Sequence, residues 1–191
     1  MKLRGWAAAA VVLAALAMLV AAMVIWKPWR AGTPVLSTQW QTYRELPWTQ
    51  LMPAGWNPLQ RFRDQNIAAL RDGDPRVTAM MRELREIWAN APVVDALDGA
   101  AVQLTGYIVP LDNTADGLKT FLLVPYFGAC IHSPPPPANQ IVEVELEQRQ
   151  PMHSMDTVRV WGVLQIERQD TSMGMSAYRM RAGKVEPYRA P

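Results

Sequence analysis

Between Ala101 and Pro187 the apolar residues fall into five short stretches of period two, and nothing else in the chain restricts its fold so tightly. The stretches run from Ala101 to Leu111, Lys119 to Phe127, Ile141 to Leu146, Val158 to Glu167 and Ala177 to Pro187. In the third, Val142, Val144 and Leu146 alternate with Glu143, Glu145 and Glu147, which is the pattern of a strand buried on one face. In the second, the continuous run Phe121–Val124 asks for burial on both faces. Asp112-Asn113-Thr114-Ala115-Asp116-Gly117 is turn chemistry. Five short strands with turn signals between them predict a small five-stranded, OB-like barrel over residues 98–191, with an SH3-like barrel or a sandwich as alternatives. Gly106 and Gly162 suit the sharp bends that such barrels need.

Upstream the period changes. Residues 61–97 read as helical: Asp74 is a cap, Pro75 occupies the first helical position, and the helix extends to about Asn90. Val77, Met80, Met81, Leu84, Ile87 and Trp88 form its apolar stripe, opposite Arg82, Glu83, Arg85 and Glu86. Residues 31–60 are a Pro- and Trp-rich linker, with Trp40, Trp48 and Trp56 among Pro34, Pro47, Pro53 and Pro58. Prolines so spaced stop helices, and three tryptophans predict an arm lying against the domain or against a partner. The expected class is α+β: mainly β with N-terminal helices.

Residues 1–30 are of a different kind. From Gly5 to Trp26 no residue is charged, and a helix of that length spans roughly 33 Å, enough to cross a membrane. Trp6, Trp26 and Trp29 stand where an interfacial aromatic belt would. Length favours a retained single-pass signal-anchor over a cleaved signal peptide, with the domain facing the periplasm from the inner membrane and a soluble periplasmic form as the alternative. This segment also explains the charge. The chain's net +2 includes Lys2, Arg4, Lys27 and Arg30 with no acid among the first thirty residues, so the remainder holds 15 basic and 17 acidic side chains. A net of −2 and the row of Glu143, Glu145 and Glu147 argue against a nucleic-acid partner.

The least generic segment is Tyr126-Phe127-Gly128-Ala129-Cys130-Ile131-His132-Ser133, followed by Pro134, Pro135, Pro136, Pro137, Ala138, Asn139 and Gln140. Cys130 and His132 are two apart and would share one face of an extended backbone. Thiolate with imidazole suits zinc or copper. The four prolines stiffen the loop beyond, without backbone donors of their own. Structural alternatives are a buried core cysteine and a hydrogen-bonded histidine; the catalytic alternative is a Cys-His nucleophile pair, for which no orienting acid is evident. A zinc site wants three or four ligands, so Asp112, His153 or the Cys-x-His pair of a second chain in a homodimer are candidates to complete it. Met152-His153-Ser154-Met155 and Met173-Gly174-Met175 have the spacing of thioether sites for copper(I).

Gly106-Tyr107-Ile108-Val109-Pro110-Leu111-Asp112, the Phe127–His132 box, the Pro134–Pro137 run with Asn139-Gln140, and Met175-Ser176-Ala177-Tyr178-Arg179-Met180 together resemble the DUF3299 family. The resemblance covers roughly residues 40–190. It implies a bacterial exported protein of unknown biochemical function, often encoded beside ABC-transporter components. No Walker A, dinucleotide or serine-hydrolase motif occurs. The expectation is a non-enzymatic, membrane-anchored envelope protein that binds a metal, zinc ahead of copper, as an accessory to an ABC-type transporter. The alternative is an adaptor in which the Trp/Pro arm, Tyr126 and the Pro134–Gln140 loop dock a protein.

Overall fold

The computed structural model of the chain describes residues 42–63, 74–112, 114–129 and 135–189. The uncharged run at residues 5–26 lies outside these residues, as do Trp40, Cys130, His132 and Pro134. Among the described residues no helix is long and apolar enough to cross a membrane.

The period-two stretches form strands β2 (Ala101–Pro110), β3 (Leu118–Val124), β4 (Val142–Gln150), β5 (Thr157–Thr171) and β6 (Gly174–Pro187). A two-residue strand, β1 (Arg44–Glu45), precedes them without any sequence period of its own. All six lie in one sheet of order β1-β2-β3-β4-β6-β5, and β2 also pairs with β5. The pairings β2–β3, β3–β4, β6–β5 and β5–β2 are antiparallel; β4–β6 and β1–β2 are parallel. Hydrogen bonding therefore runs from β2 through every later strand and back to β2.

The strand ends depart from the pattern for local reasons. β3 stops at Val124 rather than Phe127, because Pro125 brings no donor and Gly128 turns the chain at φ +82°. β6 starts three residues early, at Gly174, where Thr171 Oγ1 donates to the Gly174 carbonyl (2.6 Å) across a tight hairpin. At Gly106 a Cβ would meet the Val124 carbonyl oxygen at 2.6 Å, and at Gly162 it would strike the Arg181 carbonyl. Both glycines let backbones approach within the sheet.

Helical structure is sparser than the stripe upstream suggested. Among the described residues there is one α-helix, α1 (Pro75–Ala89), and the other turns are single 3-10 turns at Trp48–Leu51, Gln60–Phe62, Asp95–Leu97 and Ala138–Gln140. Asp74 caps α1 by accepting from Arg76 N (2.9 Å), with Pro75 at the first helical position. Its far end is closed by Arg168, which donates to the Ala89 and Ala91 carbonyls at 2.9 and 2.6 Å. Of the apolar stripe only Leu84 is fully buried.

Alternation sorts the strand residues into two apolar clusters. Val102, Leu104 and Ile108 of β2, Phe121 and Leu123 of β3, Val142, Val144 and Leu146 of β4, and Leu164 and Met180 of β5 and β6 belong to the inner core. Val109 of β2 and Leu122 and Val124 of β3 point the other way, into a smaller outer cluster with Ala129 and Ile141. Phe121–Val124 is thus buried on both faces, which accounts for its unbroken apolarity.

Candidate functional site

The connection from β3 to β4 carries the Cys-x-His box, and the described parts of that connection are held in place by other segments. On its return side, Pro136 is buried and Asn139 has no exposed surface. Asn139 Nδ2 donates to the Pro92 carbonyl (2.8 Å), and Gln140 Nε2 donates to the carbonyls of Trp48 (2.9 Å) and Asn139 (3.0 Å). Trp48 Nε1 in turn donates to the Thr105 carbonyl of β2 (2.7 Å). Tyr178, wholly buried in β6, donates to the Leu51 carbonyl (2.9 Å) and accepts from Val94 N (2.8 Å). Burial raises the Tyr178 hydroxyl above its ordinary pKa, so it stays a donor. Asn139 and Gln140, expected to face a partner, are thus spent on this chain's own carbonyls. They and Tyr178 clasp the arm at Trp48–Leu51 and the segment at Pro92–Val94 to the sheet.

The outgoing side is different. Tyr126 and Phe127 are 44% and 65% exposed, and the Phe127 ring stands edge-on to Tyr107 with centroids 5.8 Å apart. Two residues later Ala129 is fully buried in the outer cluster. Between them Gly128 N donates to the Met155 sulfur at 3.3 Å. Met155 has φ +67°, the left-handed region that costs a side-chain-bearing residue about 1–2 kcal/mol, and is held there by its N–H bond to the Ile108 carbonyl (2.8 Å).

Both methionine motifs divide between the two clusters. Met152 packs on the inner core and Met155 on the outer; Met175 packs inward and Met173 outward. Neither motif presents two thioethers to one place by itself, but one sulfur from each meets the outer cluster. Pro135 touches the same turn, since a Cβ on Gly174, between Met173 and Met175, would lie 3.1 Å from Pro135 Cβ.

The two further metal candidates are engaged elsewhere. Asp112 Oδ1 accepts from Lys119 N and Thr120 N (3.0 and 3.1 Å), and Oδ2 pairs with Arg149 at 2.8 Å. Burial works against its charge, but these backbone bonds and the guanidinium outweigh it and hold its pKa below the ordinary value. His153 is on an exposed turn, its side chain 86% accessible and its Nδ1 3.6 Å from Asp156. Among the described residues no group of three or more His, Cys, Asp or Glu is gathered to hold a metal.

One polar cluster had no signal in the linear sequence. Arg179 of β6 donates to Glu145 (2.7 Å) and Glu167 (3.1 Å) and faces Glu143 at 3.8 Å. Glu143 is nearly buried, and desolvation raises its pKa, helped by Glu167 and Glu145 and opposed by Arg179. Alternation places Glu143 and Glu145 on one face, but only the parallel register of β4 with β6, Glu143 opposite Arg179, supplies their partner.

These features define a mainly β domain, clasped to its own N-terminal arm, with a Cys-x-His-Ser-Pro box in the β3–β4 connection. The chain belongs to the DUF3299 family, proteins of unknown function, whose model matches residues 48–187. It is similar to the crystal structure of a DUF3299 family protein from Pseudomonas aeruginosa PAO1, with 40% sequence identity and a TM-score of 0.61. That similarity covers 78% of this chain and 98% of the other. The search of curated proteins gave no match. The matched range begins at Trp48, the residue that ties the arm to both β2 and Gln140.

Proposed function

We propose that this is a membrane-anchored envelope protein whose OB-like barrel carries a transition-metal site with Cys130 and His132 as ligands, serving an ABC-type transporter as a non-enzymatic accessory. The barrel reading draws on the closed circuit of pairings: a meander β2-β3-β4, with the last strand β6 returning parallel to β4 and β5 joining back to β2. The anchor rests on the uncharged run at residues 5–26.

The observation that carries the metal reading is the fixing of the chain on both sides of the box. Ala129 is buried, Pro136 is buried, and Asn139 and Gln140 are bonded inward. Holding a short ligand-bearing segment at both ends lowers the entropy lost on coordination. A thiolate and an imidazole suit both zinc and copper(I), and each metal would draw further donors from nearby residues or a second chain.

The full-length chain, purified in detergent and reconstituted with zinc or, anaerobically, with copper(I), is expected to retain about one metal per chain or per dimer. Cys130→Ser abolishes retention and His132→Ala weakens it. Elemental analysis finding no metal in the wild type sinks the proposal. A C-terminal alkaline phosphatase fusion is expected to be active; an inactive one reverses the assigned orientation.

A second reading, docking of a protein through the connection's outgoing side, is favoured by the exposure of Phe127 beside Tyr107. Loss of a defined transporter-component contact in Phe127→Ser, with metal content unchanged, would support it.

A further inference from the structure

The box lies between two methionines that the fold, and not the sequence order, brings to it. On the outgoing side, Gly128 N–H points at the Met155 sulfur, 3.3 Å away. Chain connectivity keeps Cys130 Cα within about 7 Å of Gly128 Cα. On the return side, Pro135 packs against Gly174, whose chain neighbour Met173 joins Met155 on the outer cluster. The other members of the two motifs, Met152 and Met175, turn to the inner core.

Methionine is an ordinary gap-filler, so packing alone would not single these two out. Met155 differs in two respects. Its backbone is held at φ +67°, where a side chain is disfavoured and glycine would fit better. Its sulfur also faces an N–H of the box rather than only carbon. An aliphatic side chain would fill the same gap without that polar contact.

We infer that Met155 and Met173 supply thioether ligands to the metal site and make it selective for a soft monovalent cation, copper(I), over zinc. This rests on the metal-binding reading of Cys130 and His132. Thioether sulfur is neutral and polarisable: it adds little to the hold on zinc, which prefers thiolate, imidazole and carboxylate, and much to the hold on copper(I). Neither Asp112 nor His153 is needed, in keeping with their engagement by Arg149 and Asp156.

The test compares the full-length chain with the double variants Met155→Leu/Met173→Leu and Met152→Leu/Met175→Leu. Copper(I) affinity is read anaerobically against a chromogenic copper(I) chelator, and zinc affinity against a zinc-sensitive dye. The outward pair of substitutions is expected to weaken copper(I) by about tenfold or more and to change zinc by less than about twofold; the inward pair should change neither. Unaltered copper(I) affinity in Met155→Leu/Met173→Leu overturns the inference, while metal retention that still depends on Cys130 leaves the metal reading standing. No metal in the wild type removes both. Should the outward variant fail to fold, X-ray absorption on the copper-loaded wild type decides. More than one sulfur around the metal is expected, and a single sulfur or a shell of nitrogen and oxygen alone overturns the thioether assignment.

Discussion

The inner core and the outer cluster are built from the same strands and differ in what closes them. The inner core is shut by the sheet itself: residues of all five long strands face one another across it. The outer cluster has only Val109, Leu122 and Val124 from the sheet, and its cover comes from connections, through Ala129, Ile141, Met155 and Met173. A surface closed by strands is secured by many hydrogen bonds at once. One closed by loops depends on a few side chains that hold those loops, and it is where this protein keeps its Cys-x-His box.

That difference predicts a graded response to truncation. Phe121→Ala, in the inner core, should cost about 3–5 kcal/mol in chemical denaturation, and Leu122→Ala, its neighbour facing outward, about 2 kcal/mol. Equal costs would mean that the outer cover is as firm as the core. Tyr178→Phe removes the bonds to Leu51 and Val94 and leaves both backbone groups buried, so it should lose about 2 kcal/mol and speed proteolysis of the arm. Intact resistance of the arm would break the clasp. Gln140→Ala removes one donor from the Trp48 carbonyl and should cost about 1 kcal/mol, with the arm again the first site cut.

The smallest effect concerns pH. Burial raises the Glu143 pKa above its ordinary 4.5, so the folded state binds that proton more tightly than the unfolded chain. Its contribution to stability is therefore greatest at low pH and is lost as pH rises from about 4.5 through the folded value. Glu143→Gln should flatten this part of the stability profile and raise Tm slightly at neutral pH, Arg179 keeping Glu145 and Glu167. A lowered Tm at neutral pH would show that the Arg179 pairing outweighs the burial. Asp112 has the opposite sign: its depressed pKa makes its contribution present above about 3.8 and lost as pH falls further.

Much of this was legible in the chain because it depends on near neighbours. The helix cap at Asp74, Pro75 after it, and the alternation of Val142 to Glu147 are all set within a few residues. The tandem apolar run Phe121–Val124 even announced burial on two faces. Strand β1 was invisible because two residues have no period and Arg44 and Glu45 are there for their backbone, beside Val102 and Gln103. Asn139 and Gln140 read as surface polar residues, because their acceptors at Pro92 and Trp48 lie 47 and 92 residues away. The methionine spacings suggested chelating pairs, and the pleat instead divided each pair between the two clusters.

The sequence by itself determined where strands and the helix form, that the chain's basic surplus belongs to its first thirty residues, and that Cys130 and His132 share one short box. Only the tertiary structure decided which residues meet: the circuit from β2 back to β2, Arg179 among three carboxylates, Tyr178 on the arm, and Met155 beside Gly128. The reason is physical. Periodicity and caps are local interactions repeated along the chain, whereas strand register and loop closure set contacts between residues far apart in sequence, and no local pattern encodes those distances.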